Sequence, residues 1–121
     1  MSIQNEIGKK GEEIARDFLE QKGYKILEQN WRYSRAEIDL IASYQNALIF
    51  VEVKTRSYDY FGQPEDFVTA KKQKLMSSAA SAYMQANNHQ WEIRFDIVSI
   101  LLSGKSSMKI QHFEDAFFLG L

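Results

Sequence analysis

Two apolar runs separated by a short polar break occupy the middle of the chain. Ile38, Leu40 and Ile41 form the first run, 48–53 form the second, and 44–47 form the break. β-Branched and apolar runs on either side of such a break are typical of two antiparallel strands joined by a tight turn. The pattern therefore predicts a β-hairpin in this part of the chain.

Acidic residues lie in this predicted hairpin where a buried strand would carry apolar side chains. If the turn is at 45–46, the antiparallel register places Asp39 opposite Glu52, and Lys54 opposite Glu37. Like charges directly opposite each other destabilise a pair of strands by roughly 0.2–1 kcal/mol, so a cation is expected between Asp39 and Glu52. A divalent metal and Lys54 are the candidates. A slip of one residue would send the two acids to opposite faces, so this prediction depends on the register.

Helical periodicity occurs on both sides of the hairpin. Apolar residues recur at helical spacing before Gly23, which predicts an amphipathic helix from Ser2 or Asn5 to Lys22. A second periodic segment predicts a helix over 69–86, ended by the two asparagines that follow it. Both helices have an apolar stripe that can pack against a sheet.

Further strands are predicted on both sides of the second helix. Segment 24–31 precedes the hairpin, whereas 91–102 and 108–113 follow the second helix and are separated by a turn at 103–107. The apolar tail 116–121 is expected to pack on the core or on another subunit. These elements predict an α/β fold in which a central mixed sheet contains the acidic hairpin and is flanked by the two helices.

Glu12 is the acidic residue of the first predicted helix that lies nearest to the apolar stripe. At helical spacing Glu12 falls on one shoulder of the stripe, at the edge of a cleft, whereas Glu13 falls on the far side and faces water. Gly8 and Gly11 each destabilise a helix by up to about 1 kcal/mol relative to alanine, which indicates close approach to another element. An i, i+4 ion pair between Glu12 and Arg16 is an equally weighted alternative.

The composition restricts the chemistry. The 121 residues predict one domain over 1–121. The absence of cysteine excludes thiolate zinc sites and a thiol nucleophile, and the two histidines are far apart, so a metal would be bound by oxygen. The sequence has no apolar stretch of about 18 residues and no signal-peptide pattern, which predicts a cytoplasmic protein that does not interact with membranes.

The formal net charge of −1 argues against binding of nucleic acid through the overall charge of the protein. The positive charge at a binding surface must therefore come from local clusters of lysine and arginine. Lys71 and Lys72 lie in the first turn of the second predicted helix, where cations oppose the helix dipole but can bind a phosphate. Arg35 and Arg56 flank the hairpin and are further predicted phosphate contacts, although solvated charges are the more common explanation. The aromatic segment 57–66 suits stacking on unpaired bases, and a packed loop is the more common alternative.

The motifs taken together resemble those of the PD-(D/E)XK nuclease superfamily. These motifs are G-x-x-G-E at 8–12, E-I-D at 37–39 and E-V-K at 52–54, in the order helix, strand, strand. More closely, the chain resembles the uncharacterised YraN family, whose members are similar to archaeal Holliday junction resolvases. The resemblance covers nearly the whole chain and includes G-Y-K-I-L at 23–27 and N-W-R at 30–32.

The resemblance implies a restriction-endonuclease-like fold and roles for four residues. It makes Asp39 and Glu52 ligands of Mg²⁺ or Mn²⁺, Lys54 the catalytic lysine, and Glu12 an acid close to the metal. In the alternative interpretation Asp39, Glu52 and Lys54 have no catalytic role and form, together with Glu37, a cross-strand ladder of ion pairs.

The expected function is a magnesium-dependent endonuclease that hydrolyses DNA, including branched or structured DNA. The alternative is a nuclease-like module that binds nucleic acid or a protein without cutting. The apolar tail and the similarity to resolvases, which act as dimers on two-fold symmetric junctions, also predict a homodimer.

Overall fold

The chain alternates between helices and strands in a computed structural model that describes residues 3–57, 68–89, 92–103 and 107–117. The elements are α1 (Ile3–Gln21), β1 (Lys25–Tyr33), β2 (Ala36–Tyr44), β3 (Ala47–Ser57), α2 (Ala70–Ala86), β4 (Ile93–Ser103) and β5 (Ser107–Phe117). The predicted aromatic segment at 57–66 lies almost entirely outside the described residues, as do Trp91 and 118–121. None of the helices in the described ranges is long and apolar enough to cross a membrane.

The strands form one mixed sheet in which each strand lies beside its neighbour in sequence. The order is β1-β2-β3-β4-β5, and every neighbouring pair is antiparallel except β3 and β4, which are parallel. A parallel pair needs a crossover connection, and the chain between β3 and β4 contains α2. The mixed α/β fold with a helix-flanked sheet is therefore confirmed.

The two helices cover opposite faces of the sheet. In β3, Leu48 and Phe50 belong to the apolar cluster that contains α2 residues, whereas Ile49 and Val51 belong to the cluster that contains α1 residues. Because successive side chains of a strand point to opposite faces, α1 and α2 lie on different sides. Burial on both faces explains why the second apolar run of the hairpin is continuous rather than alternating.

The β2–β3 hairpin has the predicted turn and register. Gln45 and Asn46 have φ of 49° and 66°, and a two-residue turn of type I′ requires positive φ at both central positions. The paired residues include Ile41 with Phe50, as the predicted register requires, and the ladder ends at Leu40 with Val51. Asp39 and Glu52 therefore lie one position beyond the last pair.

Beyond that last pair, β2 and β3 follow different neighbours. Residues 36–38 of β2 remain paired with β1, and residues 52–57 of β3 remain paired with β4. The two strands consequently separate, and we call the region between 36–39 and 52–57 the strand fork. The fork places the acids of the hairpin at an opening in the sheet.

Two strands extend further than the apolar pattern predicted. β1 continues to Tyr33 rather than ending at 31, because Arg32 pairs across the ladder with Glu37 and forms an ion pair of 2.9 Å with it. β5 continues to Phe117, whose ring stacks on Phe95 of β4. The described part of the apolar tail thus packs on the protein's own core.

Gly11 allows α1 to lie close to β3. A Cβ at Gly11 would overlap the side-chain oxygen of Thr55, so no other residue fits there without a shift. A Cβ at Gly8 would meet nothing within 4 Å. The predicted close approach is therefore confirmed for Gly11 and wrong for Gly8.

Candidate functional site

Charged side chains from four elements come together at the strand fork. α1 contributes one acid, β2 one acid, β3 an acid and a lysine, and α2 a second lysine. We call this group the charged cluster, and its members are Glu12, Asp39, Glu52, Lys54 and Lys72.

Asp39 lies at the end of the β2–β3 ladder. Its Oδ2 accepts a hydrogen bond of 2.8 Å from the backbone N–H of Val53, so the carboxylate takes the place of a backbone acceptor where the strands separate. Burial raises the pKa of Asp39 to about 8, and the nearby charge of Glu52 contributes to the shift. The fold therefore holds this carboxyl where ionisation is unfavourable unless a cation approaches.

Glu52 is a carboxylate with incomplete partners. The residue is only 2% exposed, and its Oε1 accepts a hydrogen bond of 2.6 Å from Lys72 Nζ. Its Oε2 is buried and has no hydrogen-bond partner in the part of the chain that the structure describes. Because a buried carboxylate oxygen without a partner is costly, this atom indicates a place for a ligand or a water.

Lys54 follows Glu52 by two residues on the same strand, and therefore points to the same face. Its Nζ lies 3.5 Å from Glu52 Oε1, and its side chain is 20% exposed. Burial lowers the pKa of Lys54, and the cations of Lys72 and Arg56 lower it further against the attraction of Glu52. The position and environment are those of a lysine that can interact with a reacting group.

Lys72 was predicted to contact a nucleic-acid phosphate, and the structure instead directs it at Glu52. Thr69 caps α2 and accepts a hydrogen bond of 3.2 Å from the backbone N–H of Lys72, which fixes the first turn of the helix. Burial disfavours the charged form of Lys72, but the contact with Glu52 outweighs burial and raises its pKa. Lys72 and Lys54 thus neutralise part of the acidic charge of the cluster, both through Oε1 of Glu52.

Glu12 reaches the charged cluster from α1. As predicted, it is half-buried whereas Glu13 is exposed. Burial raises the pKa of Glu12, and the charges of Glu37 and Glu52 raise it further against a hydrogen bond with Asn30. The acid thus lies within electrostatic reach of the other two carboxylates.

Neither of the predicted ion-pair alternatives is present as expected. Arg16 pairs with Glu20 at 3.6 Å, one turn further along α1, rather than with Glu12. In the hairpin, Glu37 pairs with Arg32 rather than with Lys54. The charged cluster is therefore distinct from the predicted cross-strand ladder.

A basic cleft of about 460 Å³ leads to Asp39 from the α2 side of the sheet. Its lining includes Arg32, Arg35, Lys71 and Lys72. Arg35 and Lys71 are exposed, and neither forms an ion pair within the described residues. Of the four predicted nucleic-acid contacts, these two are thus available to an anion in the cleft.

Arg56 is the predicted nucleic-acid contact that does not line this cleft. It is half-buried near the end of β3, and its Nη1 donates a hydrogen bond of 3.2 Å to the carbonyl oxygen of Thr55. The positive charge of Arg56 nevertheless acts on the charged cluster, because it lowers the pKa of Lys54.

The described residues contain no group of three or more Asp, Glu or His side chains close enough to form a metal centre. Asp39 and Glu52, the predicted metal ligands, are two carboxylates. This number agrees with the one or two carboxylates by which proteins commonly bind Mg²⁺.

A second buried carboxylate, Asp96 in β4, lies outside the cluster and has a full set of partners. Arg94 donates two hydrogen bonds of 2.8 Å, one to each oxygen, and the backbone N–H of Asp115 donates another of 3.0 Å. His112 Nε2 lies 2.7 Å from Oδ2. Burial would raise the pKa of Asp96, but these hydrogen bonds together lower it. The sequence interpretation did not identify this group.

A comparison with known protein families matches most of this chain. The matched region contains the residues of the charged cluster and of the Asp96 group, except His112 and Asp115. The model of the uncharacterised protein family UPF0102 matches residues 11–100, which include the whole charged cluster. A UPF0102 protein of Flavobacterium psychrophilum is 48% identical over 118 residues, covering 98% of both chains.

Two further organisms contain similar proteins. A UPF0102 protein of Natranaerobius thermophilus is 46% identical over 113 residues, covering 91% of this chain and 95% of its own. One of Porphyromonas gingivalis is 42% identical over 118 residues, covering 97% and 87% respectively. The chain therefore belongs to the uncharacterised protein family UPF0102, which is the YraN family that its motifs resemble.

Proposed function

We propose that this protein is a metal-dependent endonuclease with a restriction-endonuclease-like fold, and that it hydrolyses phosphodiester bonds in DNA. The observation that carries the proposal is Glu52, a buried carboxylate whose Oε2 has no partner among the described residues. It lies close enough to Asp39 to contribute to the raised pKa of that carboxyl, about 8, and Asp39 lines the basic cleft. A carboxyl with a raised pKa in a cleft, next to a buried carboxylate that has an open position, is characteristic of functional sites.

Asp39 and Glu52 are the residues that would hold Mg²⁺ or Mn²⁺. Both offer carboxylate oxygens, which Mg²⁺ prefers, and the partnerless Oε2 is an atom that an added cation would satisfy. When bound, such an ion supplies Lewis-acid polarisation of the phosphoryl group and lowers the pKa of a water.

The other members of the cluster have roles that follow from their charge and position. Lys54 stabilises the negative charge that develops on the phosphoryl oxygens, or orients the attacking water. Glu12, whose pKa is raised, exchanges a proton with that water. Arg35 and Lys71 bind backbone phosphates in the basic cleft and position the strand without reading its sequence.

A nuclease-like module that binds without cutting is the second candidate function. It is favoured by the contacts of Glu52 with Lys72 and Lys54, because two lysines already neutralise part of the acidic charge. In such a module the cluster would be a structural ion-pair network, and the basic cleft alone would be the binding surface.

Cleavage assays separate the two candidates. Purified protein is incubated with supercoiled plasmid, a four-way junction and single-stranded DNA in chelator, Mg²⁺ and Mn²⁺. The matched variants are Lys54→Ala and Glu52→Gln in the cluster and Lys109→Ala, an exposed lysine on β5.

We expect metal-dependent cutting by the parent and by Lys109→Ala. Lys54→Ala should lose about 10²–10³-fold in rate, the usual effect of removing a group that stabilises developing charge. Glu52→Gln should lose cutting because it removes a carboxylate ligand of the metal. DNA binding without cutting in any of these conditions would favour the module.

The predicted homodimer is a further part of the proposal, because a dimer would present two sites to one branched substrate. Ala116 and Phe117 of the apolar tail pack against the protein's own core, which leaves less apolar surface for a partner. Light scattering that shows only monomer at tens of micromolar would count against the dimer.

A further inference from the structure

Two neighbouring aromatic side chains on β1 differ in their packing, since one contacts α2 and the other is exposed. Trp31 and Tyr33 are two residues apart and so share a face of the strand. Their rings are nearly parallel, at 5°, with centroids 6.4 Å apart. Trp31 packs edge-on against Tyr83 of α2 at 5.2 Å, whereas Tyr33 is 47% exposed. The packed tryptophan thus supports a tyrosine ring that faces solvent.

This exposed ring adjoins the basic cleft. Tyr33 pairs across the ladder with Ala36, which lines the cleft. Arg32 and Arg35, which are one and two residues from Tyr33, line it as well. The structure therefore places an accessible aromatic ring beside the cleft that leads to Asp39, on a strand end whose neighbouring residues Arg32 and Ala36 belong to the lining.

Among the described residues, the other two large exposed apolar side chains do not have these surroundings. Met108 on β5 is 48% exposed and Leu27 on β1 is 37% exposed, and neither is adjacent in sequence or in the ladder to a residue that lines the basic cleft. A single exposed tyrosine needs no explanation by itself. Its combination with the anchoring tryptophan and the flanking cations is what indicates a ligand that has both a π-face and negative charge.

We infer that Tyr33, supported by Trp31, stacks on an unpaired base of a nucleic-acid strand whose phosphates lie in the basic cleft. Proteins that bind single strands combine a positively charged groove with aromatic rings on which bases stack. In an intact duplex the base faces are covered by their neighbours, so Tyr33 adds affinity only where bases are unpaired. The inference rests on the proposed function and narrows its substrate to single-stranded DNA or DNA with unpaired nucleotides.

Binding measured without cleavage tests this inference. The probes are fluorescein-labelled oligodeoxythymidine of about 15 nucleotides, which is close to the upper site size of single-strand binding folds, and a duplex of equal length. Fluorescence anisotropy is recorded in chelator for the parent, Tyr33→Ala, Tyr33→Phe and Met108→Ala. Tyr33→Phe keeps the ring, and Met108→Ala removes an equally exposed apolar side chain from the opposite edge strand.

We expect Tyr33→Ala to weaken binding of the single strand by about tenfold or more, the usual effect of losing one stacked base. Its duplex affinity should stay within about twofold of the parent's, because the phosphate contacts are unchanged. Tyr33→Phe and Met108→Ala should bind both probes as the parent does. A thermal melt of each variant checks that it is folded.

The inference is overturned if the parent binds the single strand no better than the duplex, or if Tyr33→Ala weakens both probes equally. Absence of binding to either probe would also overturn it. Cleavage of plasmid by a protein that fails these tests would leave the proposed hydrolysis intact. Binding that depends on Tyr33, in a protein that does not cleave DNA under any condition, would support the proposed binding surface and contradict the proposed hydrolysis.

Discussion

Among the residues that the structure describes, two carboxylates are almost completely buried, and their surroundings differ. Asp96 is 0% exposed and accepts hydrogen bonds at both oxygens, from Arg94 and from the backbone of Asp115. Glu52 is 2% exposed, yet only its Oε1 has partners among the described residues. Burial is therefore equal, whereas hydrogen-bond satisfaction is not.

The difference shows how a structural acid can be distinguished from a functional one. Around Asp96 the fold supplies every donor that an ionised carboxylate needs, and the pKa is lowered despite burial. At the strand fork the fold brings carboxylates together and raises the pKa of Asp39. The first arrangement is complete without a ligand, and the second becomes complete when a cation is added.

The largest expected effect comes from breaking the complete group. Asp96→Asn should lower the free energy of unfolding by about 3–5 kcal/mol, because Arg94 and His112 lose a buried ionised partner. Glu52→Gln, the matched change, should stay within about 1 kcal/mol of the parent, since the lost lysine contacts are offset by removal of an unsatisfied charge. Urea unfolding at neutral pH measures both, and equal losses would contradict the distinction.

A smaller effect is expected where α1 meets the strand fork. Gly11→Ala should destabilise the protein by about 1–3 kcal/mol, because its Cβ would overlap Thr55 and push α1, with Glu12, away from β3. Gly8→Ala should instead stabilise by up to about 1 kcal/mol, since nothing lies within 4 Å and alanine favours the helix. Thermal melts give both values, and a stable Gly11→Ala would show that the close approach is unnecessary.

The adjacent lysines of α2 offer a comparison within the basic cleft. Lys72→Ala should destabilise by about 1–2 kcal/mol, because it removes the shortest contact of Glu52. Both lysines lie where a cation opposes the helix dipole, and this effect alone would leave stability unchanged or improved when either is lost. That expectation now holds only for Lys71, which has no ion pair within the described ranges.

Lys71→Ala should act on binding instead. It should reduce the slope of log K against log salt on duplex DNA by about 0.9, the value for one neutralised phosphate. Titrations at several salt concentrations measure it, and an unchanged slope would remove Lys71 from the binding surface.

A further expected effect is a dependence of stability on pH. The pKa of Asp39 is raised from 3.8 to about 8 in the folded protein, so the folded state binds more protons than the unfolded chain between these values. Stability from this group is therefore lost as pH rises towards 8. In chelator, the melting temperature of Asp39→Asn should exceed that of the parent by a margin that grows as pH rises from about 4 to about 8. The growth should be confined to the range between the two pKa values, about pH 4 to pH 8, and a margin that is constant over this range would contradict the raised pKa.

The fold was predictable where one segment determines the result. The polar break and the apolar runs on either side of it were sufficient to predict the hairpin turn and register, from Ser43 with Leu48 to Ile41 with Phe50. The end of the ladder was not predictable, because it depends on the hydrogen bond from Val53 to Asp39 and on the competing pairing with β1 and β4.

The site was predictable in part for the same reason. Asp39, Glu52 and Lys54 are close in sequence, and helical periodicity placed Glu12 at a cleft edge. The contact of Lys72 with Glu52 depends on how α2 packs on the sheet, which local pattern does not specify. For Asp96 a signal existed, since Arg94 and Asp96 are charged residues two apart in an apolar strand, but the partner His112 comes from β5.

The central claim is that Asp39 and Glu52 form a cation site rather than a structural ion-pair network, and one set of thermal melts tests it most directly. The parent and Asp39→Asn are melted at about pH 8, near the raised pKa, in chelator, Mg²⁺ and Mn²⁺. The asparagine keeps an oxygen for the Val53 N–H and removes repulsion of roughly 0.2–1 kcal/mol, so the variant should melt higher than the parent in chelator. Metal at 100 times Kd should stabilise the parent by about 2.7 kcal/mol and leave Asp39→Asn unchanged. An Asp39→Asn variant that melts lower than the parent in chelator, with neither protein responding to either metal, would contradict the claim.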